Sequence, residues 1–399
     1  MLMKNQRPHI GIFGRRNVGK SSFINAISGE DIAIVSTHAG TTTDPVSKTM
    51  ELGGAGPVVM IDTAGIDDIG DLGTKRVLAT KKVIKRIDLA IILIADAEFG
   101  DPEFEIVKDL EEHNVPFFIV NNKSDLSPIN DEKRKLIELK TRTELLSFSS
   151  VKRDNLDLVI DAIKKYTPNS IFNNPSIMGD MIKPGDSVLL ITPIDMEAPV
   201  GRMILPQMQA VRDVLDNNCI CVLVKESELA QYFKTYNVKP KLAVTDSQMF
   251  KKVNELVPAD VALTSFSILF ARLKGDFKKF IEGTKAISKL KDNDNILILE
   301  SCSHHVIGDD IGRVKIPKWL LEFTGKKLNF DIVAGVDSLP RDIKEYSLLI
   351  QCGGCMLTRK QVLNRIKPAI DAGVPVTNYG MAIAYMNGIF ERATKIFPI

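Results

Sequence analysis

The first residues that could do chemistry are residues 14–21, Gly-Arg-Arg-Asn-Val-Gly-Lys-Ser, which match G-x-x-x-x-G-K-[ST] at every fixed position. The apolar run Ile10-Gly11-Ile12-Phe13 precedes them and a helix-compatible run follows, which is the context that a phosphate-binding loop requires. Glycines let backbone N–H groups turn inward on phosphates, and a helix N-terminus adds its dipole. We therefore predict that Lys20 binds the β- and γ-phosphates and that Ser21 binds magnesium.

A second motif follows the next strand-like run of the chain. Residues 58–61 read Val-Val-Met-Ile and end in Asp62-Thr63-Ala64-Gly65. Asp62 thus emerges at the end of a strand, where a carboxylate can hold magnesium, and Gly65 lies where an N–H group can meet the γ-phosphate. We predict that both residues act together with the phosphate loop.

A third motif selects the base. Residues 116–121 read as a buried strand, and Asn122-Lys123-Ser124-Asp125 comes directly after it. A carboxylate there can accept two hydrogen bonds, from N1–H and from the exocyclic amine of guanine, whereas adenine presents an acceptor at N1. The motif therefore predicts GTP and GDP as ligands rather than ATP.

The order of these motifs resembles the TrmE-Era-type branch of the translation-factor-like GTPases. Residues 40–44, Gly-Thr-Thr-Thr-Asp, look like its switch I motif, which implies that Thr42 reaches magnesium. Asn17 matches the asparagine that holds potassium in potassium-activated members, and Ile66 occupies the position of the water-orienting glutamine of Ras-like enzymes, so intrinsic hydrolysis should be slow.

The complete set of predicted site residues follows from these motifs and from Ser149-Ser150, which lies where the branch carries its guanine-supporting loop. The predicted nucleotide contacts are Gly14, Asn17, Gly19, Lys20, Ser21, Ser22, Asn122, Lys123, Asp125, Ser149 and Ser150. The predicted catalytic residues are Lys20, Thr42, Asp62 and Gly65, and the predicted magnesium ligands are Ser21, Thr42 and Asp62.

The length of the chain, 399 residues, indicates two or three domains. Strand-like runs alternate with helical stretches, which predicts an α/β protein with a mostly parallel sheet in its first domain. We predict a GTP-binding domain over residues 1–168 and two smaller α/β units over residues 176–268 and 270–399.

Composition narrows the class of protein. Apolar residues make up 44% of the chain and charged residues 26%, as in ordinary globular proteins. A net charge of +2 gives no electrostatic reason to expect a nucleic-acid partner. The N-terminal residues lack an apolar signal core, and the longest apolar run, residues 89–95, is too short for a bilayer. We expect a cytoplasmic protein without a membrane partner.

The five cysteines include a second group with chemical potential. Cys302-Ser303-His304-His305 follows a strand-like run at residues 296–299, and Cys352-Gly353-Gly354-Cys355 follows another at residues 347–350. Loops at the carboxyl ends of strands gather on one edge of an open α/β sheet. Three thiols and one or two imidazoles could therefore converge.

The residues alone leave three interpretations of this group open. Three cysteines with a histidine satisfy structural zinc, which takes a closed tetrahedron of sulfur and nitrogen. A 4Fe-4S cluster takes cysteine thiolates, usually four, so three would leave one iron for another ligand. Ordinary packing of isolated cysteines is the third.

Over its whole length the chain resembles the HydF family, the GTPases of FeFe-hydrogenase maturation. The resemblance implies that Cys302, Cys352 and Cys355 hold a 4Fe-4S cluster, with His304 as the first motif histidine. Gln351 stands where the family carries its second histidine, which leaves the fourth iron ligand open.

The same resemblance implies a function and partners. The family acts as a scaffold or carrier that receives a diiron precursor made with two radical-SAM maturases and delivers it to the immature hydrogenase. It also implies that the middle unit forms a homodimer or a higher assembly.

Two alternatives come from other classes of protein. A ribosome- or RNA-associated assembly GTPase with a zinc-bearing C-terminal domain shares the N-terminal motifs, but it predicts a basic patch or a KH-type Gly-x-x-Gly loop. A redox-sensing GTPase predicts a reversible Cys352–Cys355 bond and no iron.

Overall fold

The computed structural model describes residues 7–28, 46–53, 56–66, 79–168, 175–193, 203–236, 238–301, 310–335, 337–355 and 357–398. The chain divides into two compact units, Met1–Asn174 and Pro175–Ile399.

The first unit is built on a six-stranded sheet. Its strands are β1 His9–Phe13, β2 Val46–Leu52, β3 Gly56–Asp62, β4 Leu89–Ile94, β5 Phe117–Asn121 and β6 Leu145–Ser147. Their order across the sheet is β2-β3-β1-β4-β5-β6, with β2 antiparallel to β3 and the other pairs parallel. The helices are α1 Lys20–Ser28, α2 Asp101–Glu112, α3 Asp131–Thr141 and α4 Leu156–Tyr166.

The apolar pattern explains why this sheet is covered on both faces. Every residue of β4, Leu-Ala-Ile-Ile-Leu-Ile, is buried, as expected for a central parallel strand. Neighbouring residues of a strand point to opposite faces, so Ile12 joins one apolar cluster and Phe13 joins the other. Functional loops are therefore left at the ends of the strands.

The second unit contains two four-stranded parallel sheets. The first sheet has the order β10-β9-β7-β8 and the second β12-β11-β13-β14. The strands are β7 Ser187–Ile191, β8 Ile220–Val224, β9 Leu242–Thr245, β10 Ala262–Ser265, β11 Asn295–Glu300, β12 Asn329–Ala334, β13 Leu348–Gln351 and β14 Val376–Asn378.

Nine further α-helices accompany these sheets among the described residues. They are α5 Leu205–Asp216, α6 Leu229–Thr235, α7 Phe250–Leu256, α8 Phe266–Lys274, α9 Phe277–Thr284, α10 Ile316–Thr324, α11 Arg359–Asp371, α12 Tyr379–Met386 and α13 Phe390–Thr394. The predicted α/β class is confirmed, with a mostly parallel N-terminal sheet and further α/β sheets behind it.

One apolar core runs through the whole second unit, from Ile177 to Phe397. Helix α8 is buried on most of its surface and contacts α5, α11 and α12. A helix that is apolar nearly all round belongs in the interior. The predicted division between residues 268 and 270 lies within α8, and it stays a prediction. In the part of the chain that the structure describes, no helix is long and apolar enough to cross a membrane.

Candidate functional site

The phosphate loop connects β1 to α1 and needs glycine at two positions. Gly14 has φ +150° and Gly19 has φ +89°, conformations that L side chains rarely adopt. A Cβ atom at Gly14 would lie 2.3 Å from the carbonyl oxygen of Leu93, and one at Gly19 would lie 2.6 Å from Nδ2 of Asn122. The loop therefore fits against the ends of β4 and β5 only with glycines there.

Lys20 is held by the loop that it serves. Its Nζ donates to the carbonyl oxygens of Gly14 at 2.9 Å and of Arg15 at 2.8 Å. The side chain begins at the first residue of α1 and is partly exposed. Since carbonyl and phosphate oxygens are both acceptors, the ammonium group can exchange these partners for a phosphate.

Two of the predicted magnesium ligands are in contact. Ser21 Oγ donates to Asp62 Oδ2 at 2.9 Å, while the buried Oδ1 has no hydrogen-bond partner among the described residues. Burial raises the pKa of the Asp62 carboxyl, and the Ser21 hydrogen bond and the charge of Lys20 oppose this rise. A carboxylate oxygen without a partner beside a hydroxyl is an oxygen donor set that suits Mg²⁺. The third predicted ligand, Thr42, lies outside the described residues.

The loop after β3 also contacts the phosphate loop. The backbone N–H of Ile66 donates to Gly14 O at 3.3 Å, and Thr63 Oγ1 donates to Ile12 O at 2.6 Å. Gly65 lies between these two anchors and is partly exposed. The predicted γ-phosphate sensor is therefore tied to β1 and to the phosphate loop on either side.

Asn122 joins three loops of the predicted base site. Its Nδ2 donates to Val18 O at 2.9 Å, and its Oδ1 accepts from the Ser150 N–H at 3.2 Å and the Ser150 hydroxyl at 2.8 Å. Only 1% of Asn122 is exposed. The residue predicted as a nucleotide contact thus also fixes the phosphate loop to the guanine-side loops.

The other base-site residues lie around this bridge. Lys123 has φ +56°, and Asp125 is partly exposed two residues further on. Ser149 is buried, and its Oγ accepts from the Lys152 N–H at 3.1 Å. Asp125 therefore has access to solvent while the residues that support it are anchored.

An ion pair next to the phosphate loop was not predicted from the sequence. Arg15 donates through Nε to Glu103 Oε1 at 2.8 Å and through Nη2 to Glu103 Oε2 at 2.9 Å, and its Nη1 also contacts Glu98. Glu103 is fully buried and accepts from the Gly100 N–H at 2.8 Å as well. The acidic first turn and proline mark the start of α2 in the sequence, but nothing local indicates the partner of Glu103.

The second chemical site lies where β11 and β13 end. Cys352 follows β13, and its N–H donates to Leu299 O of β11 at 3.0 Å. The Cys352 thiol donates to Ser301 Oγ at 2.7 Å, and that oxygen also accepts from Gln351 Nε2 at 3.1 Å and Arg365 Nη1 at 3.0 Å. Three donors therefore converge on the Ser301 oxygen, and the Cys352 thiol is one of them.

The environment of Cys352 contains opposing electrostatic effects. Burial raises the pKa of the Cys352 thiol, and the hydrogen bond with Ser301, the Gly354 N–H group and the charge of Arg365 oppose that rise. Gln351 Nε2 also lies 3.5 Å from the sulfur. The net effect is a raised pKa, because burial outweighs the donors and the positive charge that favour the thiolate, the form that binds metal.

Cys355 lies on the same loop. A buried lysine, which was not predicted from the sequence, donates to this loop. Lys274 Nζ donates to Gly354 O at 2.9 Å, Cys355 O at 3.1 Å and Leu357 O at 2.8 Å. Burial lowers the pKa of Lys274 to about 8.

Two buried polar atoms near the loop have no partner among the described residues. They are Oε1 of Gln351 and the hydroxyl of Tyr379. Such atoms fit a site that receives a further group. Cys302 and His304 lie outside the described residues, and within the described ranges no set of three or more His, Cys, Asp or Glu side chains is arranged to hold a metal.

Comparison with solved structures gives matches to GTP-binding proteins. A variant of Era from Aquifex aeolicus bound to GDP.AlF4- is 22% identical, with 59% of this chain and 99% of that chain covered and a TM-score of 0.36. Era in complex with MgGDPNP and nucleotides of 16S ribosomal RNA is 21% identical over 56% and 93%, with a TM-score of 0.37. A probable GTP-binding protein engB is 18% identical over 40% and 98%, with a TM-score of 0.33.

Family models cover most of the chain. A model described as "50S ribosome-binding GTPase" matches residues 9–123, one described as "Hydrogen maturase F dimerization domain" matches residues 177–275, and one described as "Hydrogen maturase F tetramerization domain" matches residues 278–396. The prediction of a GTPase that binds GTP and GDP with Mg²⁺ is confirmed. The dimerization and tetramerization models indicate that the protein forms a homo-oligomer and acts in hydrogenase maturation. The chain belongs to the hydrogen maturase F family, HydF.

Proposed function

We propose that this GTPase holds a 4Fe-4S cluster on Cys302, Cys352 and Cys355 and delivers a diiron precursor to the immature FeFe hydrogenase. The observation that carries the proposal is the 2.7 Å contact between the Cys352 sulfur and Ser301 Oγ. Ser301 directly precedes Cys302 in the sequence, and its contact with Cys352 supports the proposal that the two cysteine motifs meet at one sheet edge.

The surroundings of Cys352 support a cluster more than an isolated thiol. Hydrogen bonds to cluster sulfur and nearby charge tune the reduction potential of iron–sulfur centres. Gln351 supplies a donor and Arg365 a positive charge at this position, and the Ser301 hydroxyl accepts from the sulfur. With Gln351 in place of the family's second histidine, the candidates for the fourth ligand are His304, His305, Asp309 and a solvent molecule. An exchangeable position suits a protein that accepts and releases another iron fragment.

The nucleotide site supplies the switch in this proposal. The γ-phosphate and its Mg²⁺ would recruit Thr42 and Gly65 and release them after hydrolysis. Asp62 and Ser21 already lie in contact, so the nucleotide would act on the segments around Thr42 and Gly65. Partners of the loaded protein would be the radical-SAM maturases and the apo-hydrogenase in the cytoplasm. Asn17 would place potassium at the phosphates, which unequal turnover in potassium and sodium would test.

A transfer experiment tests the function directly. Reconstituted protein is incubated with both radical-SAM maturases and their substrates, re-isolated, and mixed with apo-hydrogenase, after which hydrogen evolution is measured. We expect activation with the wild-type protein and none with Cys352→Ser, although both hydrolyse GTP. Equal activation by the two proteins would contradict the proposed role of the cluster.

A further inference from the structure

Lys274 is the last residue of α8, and its ammonium group is buried. Only 6% of the residue is exposed, and Nζ lies 5.4 Å from the centre of the Phe270 ring. An ammonium group loses its hydration on burial, which is costly unless hydrogen bonds replace it. The Lys274 ammonium group therefore requires hydrogen-bond acceptors within the protein.

The cysteine loop provides that replacement. A lysine ammonium has three N–H donors, and Lys274 directs them to three carbonyl oxygens of one loop, those of Gly354, Cys355 and Leu357, at 2.8 to 3.1 Å. Gly354 has φ +61°, so the chain turns at the point where the lysine contacts it. The loop is thus held from the protein interior by one side chain.

The backbone that Lys274 holds lies next to both cysteines of the loop. Gly354 comes two residues after Cys352, and its carbonyl oxygen and that of Cys355 both accept from Lys274 Nζ. A shift of Lys274 would therefore move the backbone that carries the two cysteines.

The charge of Lys274 has no carboxylate counter-ion within the part of the chain that the structure describes. Lys274 Nζ bonds to the backbone of Gly354 and Cys355, so the ammonium group lies within the loop that carries the two cysteines. A positive charge at this place favours negatively charged sulfur ligands nearby. The buried lysine and the two cysteines are therefore electrostatically complementary.

We propose that Lys274 is a positioning residue for the Cys352–Cys355 loop, fixing the loop before metal arrives and balancing the charge of the sulfur ligands afterwards. The second half of the proposal rests on the proposed cluster, whereas the first half concerns the metal-free protein. Lys274 lies in the segment matched by the dimerization model, and the loop lies in the segment matched by the tetramerization model. The three hydrogen bonds of Lys274 therefore join the two segments.

The experiment uses the full chain with two substitutions and a matched control. Lys274→Met keeps an unbranched apolar side chain but removes donors and charge, and Lys274→Arg keeps the charge with a different donor geometry. Arg359→Met is the control, because Arg359 Nη1 donates to Leu273 O at 2.8 Å across the same junction but to none of the three loop carbonyls.

The first measurement is hydrogen–deuterium exchange of metal-free protein. Loss of the three bonds should speed exchange of peptide amides in residues 352–358 by about tenfold or more in Lys274→Met, since a net hydrogen bond contributes roughly 1 kcal/mol. Arg359→Met should leave this exchange within about twofold, and unchanged exchange in Lys274→Met would overturn the positioning role. Amides of β9 report whether each variant is folded.

The second measurement is the midpoint potential of the reconstituted cluster. Removing a buried positive charge disfavours the reduced, more negative state, so Lys274→Met should shift the potential to more negative values and Lys274→Arg should restore it. Equal potentials in all three proteins would overturn the charge-balancing role.

If wild-type protein takes up no iron, the proposed function and the charge-balancing role fail together, while the exchange experiment still decides the positioning role. Should Lys274→Met not fold, faster loop exchange in Lys274→Arg carries the same test.

Discussion

The nucleotide edge of the first unit and the cysteine edge of the second use lysine in opposite ways. Lys20 donates to carbonyls of its own loop, Gly14 and Arg15, and is partly exposed. Lys274 comes from a helix far earlier in the chain and is buried under three carbonyls of the loop that it supports. Lys20 can exchange its carbonyl partners for phosphate oxygens, whereas the burial of Lys274 keeps its ammonium group on the loop carbonyls.

The same contrast extends to how each loop is fixed. In the first unit, Asn122 ties the phosphate loop to Ser150 and Ser21 contacts Asp62, so the predicted ligand residues also hold one another. In the second unit, residues that are not ligands hold the cysteine loop. Substitutions should therefore separate the two activities.

The largest effect should come from removing a cluster ligand. Cys352→Ser should abolish the iron chromophore of anaerobically reconstituted protein and leave GTP hydrolysis within about twofold, because the two sites are built from separate elements. Iron analysis and phosphate release measure both, with Cys221→Ser as control, since Cys221 lies in β8 and is partly buried. Single substitution of Cys302 or Cys355 should act alike, and iron retained by all three variants would contradict the ligand assignment.

Lys20→Ala should reduce GTP turnover by about 10²- to 10³-fold, the usual loss when a charged group that stabilises a phosphoryl-transfer transition state is removed. Iron uptake should stay at the wild-type level. The control is Lys152→Ala, an exposed lysine of the neighbouring loop. Unchanged turnover in Lys20→Ala would remove Lys20 from the site.

Glu103→Ala tests the buried ion pair behind the phosphate loop. Removing one partner of a buried pair costs about 3 kcal/mol, because the Arg15 guanidinium loses its buried counter-ion. We expect faster hydrogen exchange in β4 and weaker GDP binding. Glu98→Ala is the matched control, since its side chain is 62% exposed and surface pairs contribute about 1 kcal/mol or less. Equal behaviour of the two variants would mean that burial of Glu103 is unimportant.

Asp125→Asn should give the smallest of these losses. Replacing the carboxylate removes charge-assisted hydrogen bonds to guanine, and GTP affinity should fall by about 10- to 100-fold relative to ATP. Competition binding with both nucleotides measures this ratio. Asp131→Asn, an exposed residue in the first turn of α3, should leave the ratio unchanged. Preserved guanine selectivity in Asp125→Asn would assign base recognition elsewhere.

The parts that could be predicted from sequence are those in which chemistry and geometry are local. The phosphate loop, Asn122 and Cys352 each follow directly on an apolar strand, and Asp62 is the last residue of β3. Residue order alone therefore indicates that each of them lies at the end of a strand. The α/β alternation likewise indicated parallel sheets.

The parts that could not be predicted depend on contacts between distant residues. Lys274 and Gly354 are 80 positions apart and Arg15 and Glu103 are 88 apart, and neither pair leaves a periodic or motif signal in the sequence. Helix α8 reads as an ordinary apolar helix, and only the packing around it shows that its last lysine faces a loop of the second sheet. Thr42, Cys302 and His304 lie outside the described residues, and their roles stay predictions.

Electron paramagnetic resonance of the anaerobically reconstituted, dithionite-reduced protein, together with iron and zinc analysis, tests the central claim most directly. A reduced 4Fe-4S cluster should give its paramagnetic signal with about four irons per chain, and Cys352→Ser should lack it. Stoichiometric zinc without iron uptake would contradict the account and would make the cysteine loop part of a structural metal site.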